Sequence, residues 1–306
     1  MCENITNKYL YEDKITFLKK KIKNNIDNPK LLIQKFKYKN ITINLIQDGV
    51  LLTGTKQRVV KLFFKKILKE NPKIKTVLYA GSCNGFGAIA TAYGAYKLGL
   101  KCEVFLSKIP DLTDDNIFES RQINTLHALD ANIYLCPTYP EARELEYKNS
   151  TIKIGKKSWK TAPEYYISPM GLNDDDKIMI NLLSKQIIKS SKNTILENYN
   201  NPRIWLVTGS GGIAMSLSKA FPFAKLFILL TGGGRHKKNV YDWAKNEKNV
   251  FIIKNESILD NKSEINDRHL YYSSVTGYDD LIWPYVKKYG KDNDFIWNIA
   301  SEDYIL

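Results

Sequence analysis

Two glycine-rich turns, each set between an apolar run and a helix-like stretch, constrain this chain more than any other feature. Lys75-Thr76-Val77-Leu78-Tyr79-Ala80 predicts a strand, Gly81-Ser82-Cys83-Asn84-Gly85 a turn, and Phe86 to Leu98 an Ala-rich helix closed by Gly99. A strand at Cys102–Leu106, a helix over Asn116–Leu129 and a strand at Asn132–Leu135 follow. The order repeats later, after a helix over Asp176–Lys189. Arg203–Thr208 reads as a strand, Gly209-Ser210-Gly211-Gly212 as a turn, Ile213–Phe221 as a helix and Phe227–Leu230 as a strand. Strands alternating with helical stretches pair in parallel and need helices on their faces, so the chain is expected to be α/β with two units. The polar, Lys-rich stretch Glu144–Pro163 reads as the connection between them. Earlier, a basic amphipathic helix around Ile15–Lys21 precedes short strands near Ile41–Ile46.

Size and composition agree. With 306 residues, 43% of them apolar, the chain can bury one large or two medium cores. No run of about 18 apolar residues occurs, and the first residues hold no apolar signal core, so a cytoplasmic protein off the membrane is expected. Four Cys with no Cys-x-x-Cys and three His argue against a disulfide framework and against a zinc site, so no metal is expected. The formal net charge is +14, from 46 Lys+Arg against 32 Asp+Glu. Lys is spread along the whole chain, as on solvated helix faces; a nucleic-acid partner is compatible with the charge but not favoured.

The turns and one lysine carry the chemistry. A glycine-rich turn that opens a helix offers unbonded N–H groups and the positive end of the helix dipole, a ready site for phosphate. Gly209, Ser210, Gly211 and Gly212 fit that role, whereas no Walker-type Gly-x4-Gly-Lys-Ser/Thr occurs. Ser82 and Asn84 in the first turn add directional side chains for a ligand oxygen, or else cap the helix. Gly54-Thr55-Lys56-Gln57-Arg58 stands before an apolar helix. With Thr55 as N-cap, Lys56 falls in the first turn, where the dipole and Arg58 are expected to depress its pKa and make it a Schiff-base nucleophile.

Taken in order, these pieces resemble the fold-type II, tryptophan-synthase-β-like pyridoxal-phosphate enzymes. They are Gly54–Arg58, Ser82-Cys83-Asn84 about 26 residues beyond Lys56, Leu98–Cys102, Leu126–Ala131 before a strand, and Gly209–Gly212. The Gly-x-Lys-x-Arg sequence and the late Gly277-Tyr278 make the aminocyclopropane-carboxylate deaminase and D-cysteine desulfhydrase branch the most similar. The resemblance covers roughly residues 50–300. It implies a two-domain fold of parallel sheets covered by helices: a large cofactor domain of residues 1–57 and 164–306, a small one of 58–163, and pyridoxal 5'-phosphate at their interface. It further implies a homodimer that acts on a small amino acid by elimination or deamination.

Carried over position by position, Lys56 would form the internal aldimine. Asn84 would meet the cofactor's 3′-oxygen, and Ser82, Asn84 and Gly85 the substrate carboxylate. Gly209–Gly212 would cradle the phosphate, and Tyr278 would stand over the ring as an acid/base or positioning group. The chain departs from the family at Cys83, where Gly is usual, and at Gly85-Phe86, where His or Thr follows the Asn. It departs again at Asn298-Ile299-Ala300-Ser301, in place of a His-Thr-Gly-Gly-like segment, which leaves Ser301 or Glu302 for the ring nitrogen. Four alternatives compete. One is β-replacement with the same parts. Another is a short-chain dehydrogenase, from Gly81-x3-Gly85-x-Gly87 and Tyr241-x3-Lys245. The others are an enzyme acting on an amino acid attached to nucleic acid, and a non-catalytic binding relative.

Overall fold

The computed structural model describes residues 2–6, 12–83, 85–108, 120–153, 159–168, 177–231, 234–253, 272–275 and 278–301. The chain divides into two compact units, Met1–Asp27 with Val59–Asp174, and Asn28–Arg58 with Asp175–Leu306.

The first unit is built on a five-stranded sheet. Its strands are β1 (Glu3–Asn4), β4 (Thr76–Ser82), β5 (Lys101–Ser107), β6 (Asn132–Cys136) and β9 (Tyr165–Ile167), in the order β1-β6-β5-β4-β9. All neighbours are parallel except β1 with β6. Residues 76–81 of β4 are all buried, as a central parallel strand covered on both faces must be. Among the described residues five helices accompany the sheet: α1 (Glu12–Asn24), α2 (Val60–Glu70), α3 (Phe86–Tyr96), α4 (Arg121–Ala128) and α5 (Tyr139–Ser150).

Three expectations are revised in this unit. Residues 1–27, expected with the later segment, pack here: Glu3 and Asn4 pair with Leu135 and Tyr134, and Leu18 and Ile22 of α1 are buried. The stretch taken as a connection begins inside α5, which a Thr138–Glu141 capping box starts. It goes on through β7 (Thr151–Lys153) and β8 (Trp159–Thr161), an antiparallel pair. And although the cysteine spacing argued against a disulfide framework, Cys2 and Cys136 form a disulfide that ties the N-terminal strand to β6.

The second unit holds a six-stranded sheet in the order β12-β11-β10-β13-β3-β2. Its strands are β2 (Ile33–Tyr38), β3 (Ile41–Gln47), β10 (Arg203–Thr208), β11 (Lys225–Leu230), β12 (Val250–Ile253) and β13 (Asp294–Asn298). Only the β2–β3 hairpin is antiparallel. The last strand, β13, inserts between β10 and β3, so the two ends of the unit's sequence meet in mid-sheet. Its helices are α6 (Lys177–Ser191), α7 (Gly212–Ala220), α8 (Gly234–Ala244) and α9 (Trp283–Tyr289). Ile43, Leu45, Trp205, Val207, Trp283 and Ile296 form the core on one sheet face. No helix among the described residues is long and apolar enough to cross a membrane.

Candidate active site

Lys56 lies in a 3-10 turn, Gly54–Arg58, that precedes α2. Thr55 is therefore not the N-cap of that helix. The cap position is Val59, with no side-chain bond, and Thr55 Oγ1 instead accepts the indole N–H of Trp297 at 3.0 Å. The Thr55 N–H donates to Ile299 O at 3.0 Å. Gly54 has φ +64°, and a Cβ there would stand 2.3 Å from Ile299 O, so only glycine brings the turn this close to the C-terminal segment. Burial pushes the Lys56 ammonium down to about 8. Its side chain keeps some solvent contact but is set deep among the chain's atoms. The cause differs from that expected. Arg58 does not act on the lysine as a free charge, because its guanidinium is paired with buried Asp48 (Nε–Oδ2 3.0 Å, Nη2–Oδ1 2.5 Å).

The second glycine turn opens α7 from the end of β10. Gly211 is its N-cap, at φ +89°, and no side chain caps the helix, so its first N–H groups are left to a ligand or solvent. Two of the turn's donors are used within the protein. The Gly211 N–H meets Thr208 Oγ1 at 3.2 Å, and the Gly209 N–H meets the Tyr278 hydroxyl at 3.0 Å. At Gly209 a Cβ would touch nothing nearer than 3.8 Å, so packing within the chain does not demand glycine there. Burial, then the neighbouring Asp279, pushes the Tyr278 phenol well above its ordinary value, so the hydroxyl stays protonated at neutral pH.

The C-terminal segment joins these parts. The Ala300 N–H donates to Asp279 Oδ2 at 2.8 Å, next to Tyr278. Ser301 is fully buried, with its Oγ 2.7 Å from Ser273 Oγ. A continuous chain of contacts thus runs from the Lys56 turn through Ile299, Ala300 and Asp279 to Tyr278 and the Gly209 turn, all within the second unit. Thr53 Oγ1 and Asn298 Oδ1, on the segments this chain ties together, are buried without a hydrogen-bond partner. Such atoms are costly unless a ligand meets them. A buried amine of lowered pKa, a helix N-terminus without a side-chain cap next to Gly209, and orphaned polar atoms fit pyridoxal phosphate.

In the first unit, Gly85 N donates to Ser82 O at 3.0 Å, and Gly85 itself is the N-cap of α3. Ser82 therefore does not cap that helix. Asn84, Gly277 and Glu302 lie outside the described residues. Asp279 and Ser273 escaped the sequence reading. The acid is one of many in the chain, and the serine follows an unpatterned stretch.

No family model matches the sequence, and no curated protein matches it either. Solved structures do. A hydrogen sulfide-producing enzyme from Fusobacterium nucleatum is 14% identical with a TM-score of 0.59, over 97% of this chain and 100% of that one. An aminocyclopropane-carboxylate deaminase homologue is 13% identical with a TM-score of 0.61, over 94% of both chains. A pyridoxal 5'-phosphate-dependent aspartate racemase is 12% identical with a TM-score of 0.55, over 95% of both. The fold is that of the fold-type II pyridoxal-phosphate enzymes. It removes the dehydrogenase reading, since the strands form two main sheets rather than one. The glycines of that motif have another cause. A Cβ at Gly81 or Gly87 would lie 2.6 or 2.1 Å from the Tyr79 side chain, so they make room for a tyrosine, not a nucleotide. Lys245 of the Tyr-x3-Lys pair is an exposed partner of Asp242 at 2.9 Å.

Proposed function

We propose that this chain is a pyridoxal-phosphate enzyme that eliminates from or deaminates a small amino acid. The observation that carries the reading is the contact chain linking the Lys56 turn, the 298–301 segment, Tyr278 and the Gly209 turn. It supports the reading by tying together, in one unit, the turn that carries Lys56, the segment before Ser301 and the turn at Gly209. When bound, the cofactor supplies an aldehyde that condenses with amines and a ring that takes up charge from the substrate's α-carbon.

The chain's own residues supply the rest. With its pKa near 8, Lys56 Nζ is unprotonated in about one molecule in ten at pH 7, far more than an ordinary lysine. It is the amine that holds the cofactor, and once displaced by the substrate it accepts and returns a proton at Nζ. The N–H groups at Ser210, Gly212 and the start of α7 hold the phosphate, while Gly209 lets it approach. Ser301 or Glu302 would meet the ring nitrogen. Tyr278 keeps its proton and pins the Gly209 N–H, so it positions the turn. Ser82, Asn84 and Gly85 hold the substrate carboxylate. β-Replacement uses the same residues and differs in what re-enters after the leaving group departs.

The purified chain incubated with pyridoxal phosphate should turn yellow. Borohydride followed by peptide mapping should then place the label on the peptide containing Lys56, and Lys56→Ala should stay folded and colourless. A label on another lysine, with Lys56→Ala still yellow, refutes the assignment.

A further inference from the structure

The parallel register of β10, β11 and β12 sets three aromatic residues in one row across the strands, Trp205 beside Phe227 and Phe227 beside Phe251. Their rings stack, with centroids 4.4 and 5.3 Å apart and planes 18° and 20° from parallel. Two residues earlier the register pairs Arg203 with Lys225, and strand alternation gives both the face that carries the rings. The Arg203 guanidinium lies 4.5 Å from the Phe227 centroid. It is held there by Asp294 (Nε–Oδ1 2.9 Å) and by the Tyr289 carbonyl, to which Nη2 donates at 3.0 Å. Trp205 is fixed as well, its Nε1–H donating to Asp294 Oδ2 at 2.7 Å. This sheet face, with Tyr285 and Tyr289 of α9, lines a groove of about 430 Å³.

The row ends in the open. Phe251, on edge strand β12, is 42% exposed, and Tyr289 is 45% exposed. Asp294 balances Arg203, but the exposed Lys225 has no ion pair among the described residues, so one end of the row is positive. Arg203 Nη1 likewise has no hydrogen-bond partner among the described residues. Rings in a row favour a flat π system, and cations beside them favour a negative substituent on it. The step between the two rows is two residues, about 7 Å along the strand, which an aromatic ring with an acidic group spans. We propose that this groove binds a planar aromatic anion. The ligand's ring packs against Phe227, Phe251 and Tyr289, and its carboxylate or phosphate meets Arg203 Nη1 and Lys225. The rings and guanidinium are held before a ligand arrives, so little ordering is left to the binding step. The groove is separate from the Gly209 turn, which lies beyond the other end of β10, six residues and about 20 Å away.

The test is titration of the full chain, followed by NMR of the added molecule. Naphthoate and adenosine monophosphate are the probes; naphthamide, which lacks the charge, and cyclohexanecarboxylate, which lacks the π system, are the controls. One of the probes should bind about fivefold or more tightly than either control, the effect of one charged or one aromatic contact. Whichever probe binds more tightly tells an aromatic acid from a nucleotide. Phe251→Ala and Phe251→Leu should each weaken that probe about tenfold, and Phe251→Tyr should bind it as the parent does. Lys225→Gln should weaken it about threefold and leave naphthamide unchanged. Both positions are exposed, and circular dichroism checks that the variants fold. No saturation by either probe at millimolar concentration, controls that bind as tightly, or affinity unchanged in Phe251→Ala or Lys225→Gln would overturn the proposal. Lys56→Ala should bind the probe like the parent; a loss there would place the probe at the Lys56 turn and overturn the proposal too.

Discussion

Gly211 gives the sharpest stability test, because two separable terms act on it. Its φ of +89° lies where an L-residue is strained by about 1–2 kcal/mol. A Cβ there would also lie 2.5 Å from Val240 Cγ2 and 3.3 Å from Met215 Cε. The methionine can swing aside. Val240 cannot, being β-branched and fully buried in α8, and overpacking of that kind costs about 1–3 kcal/mol. Gly211→Ala should therefore destabilise the second unit by about 2–5 kcal/mol, before any ligand is present. Val240→Ala alone should cost about 2 kcal/mol for its two buried methyls. The double variant should be more stable than the sum of the two by about 1–3 kcal/mol, the relieved clash, while the backbone strain remains. Urea unfolding followed by tryptophan fluorescence reads this unit, which holds four of the chain's five Trp residues. A Gly211→Ala variant within 0.5 kcal/mol of the parent, or strict additivity in the cycle, would refute the packing argument. It would also show that any loss of cofactor by larger residues at 211 comes from blocked ligand rather than a broken turn.

Three further outcomes follow from buried charges. Asp48→Ala leaves the Arg58 guanidinium buried with no carboxylate partner among the described residues, beside Asn28 Oδ1 and Pro29 O, so urea denaturation should show a loss of about 3–5 kcal/mol, and a loss under 1 kcal/mol refutes the pairing. Glu146 in α5 is pushed up to about 7, chiefly by burial, with Arg143 opposing. The folded state then binds more protons than the unfolded between about pH 4.5 and 7, so stability falls as pH rises through that window, by up to about 3 kcal/mol. Glu146→Gln should flatten this profile and stabilise the chain at pH 8; an unchanged profile refutes it. Lys56, lowered to about 8, has the opposite sign: stability rises with pH from about 8 towards 10.5, and the rate of pyridoxal-phosphate capture should rise through pH 8, where a rate independent of pH between 6 and 9 counts against Lys56 as the amine.

The β-α-β units of both halves were legible in the sequence, because the apolar pattern of a covered parallel strand and the glycines of a strand-to-helix turn are local properties. Arg203–Thr208 is a strand at the expected bounds, and the expected helix at Phe86 begins there. Helix α5 was not legible. Its buried residues are Ala142, Glu146 and Ser150, so a covered face carries no apolar period. The turns and the lysine could likewise be picked out by spacing, but not the way they are joined. Tyr278 reaches Gly209 across 69 residues, Asp279 reaches Ala300 across 21, and β13 pairs with β3 from the far end of the chain. Which hydroxyl, carboxylate or N–H meets which depends on where the folded backbone brings each one, and one polar residue in a loop reads like any other. The same holds for Lys56. Its place before an apolar helix marked it out, yet its lowered pKa comes from burial in the assembled unit, while the charge beside it in sequence, Arg58, is spent on Asp48.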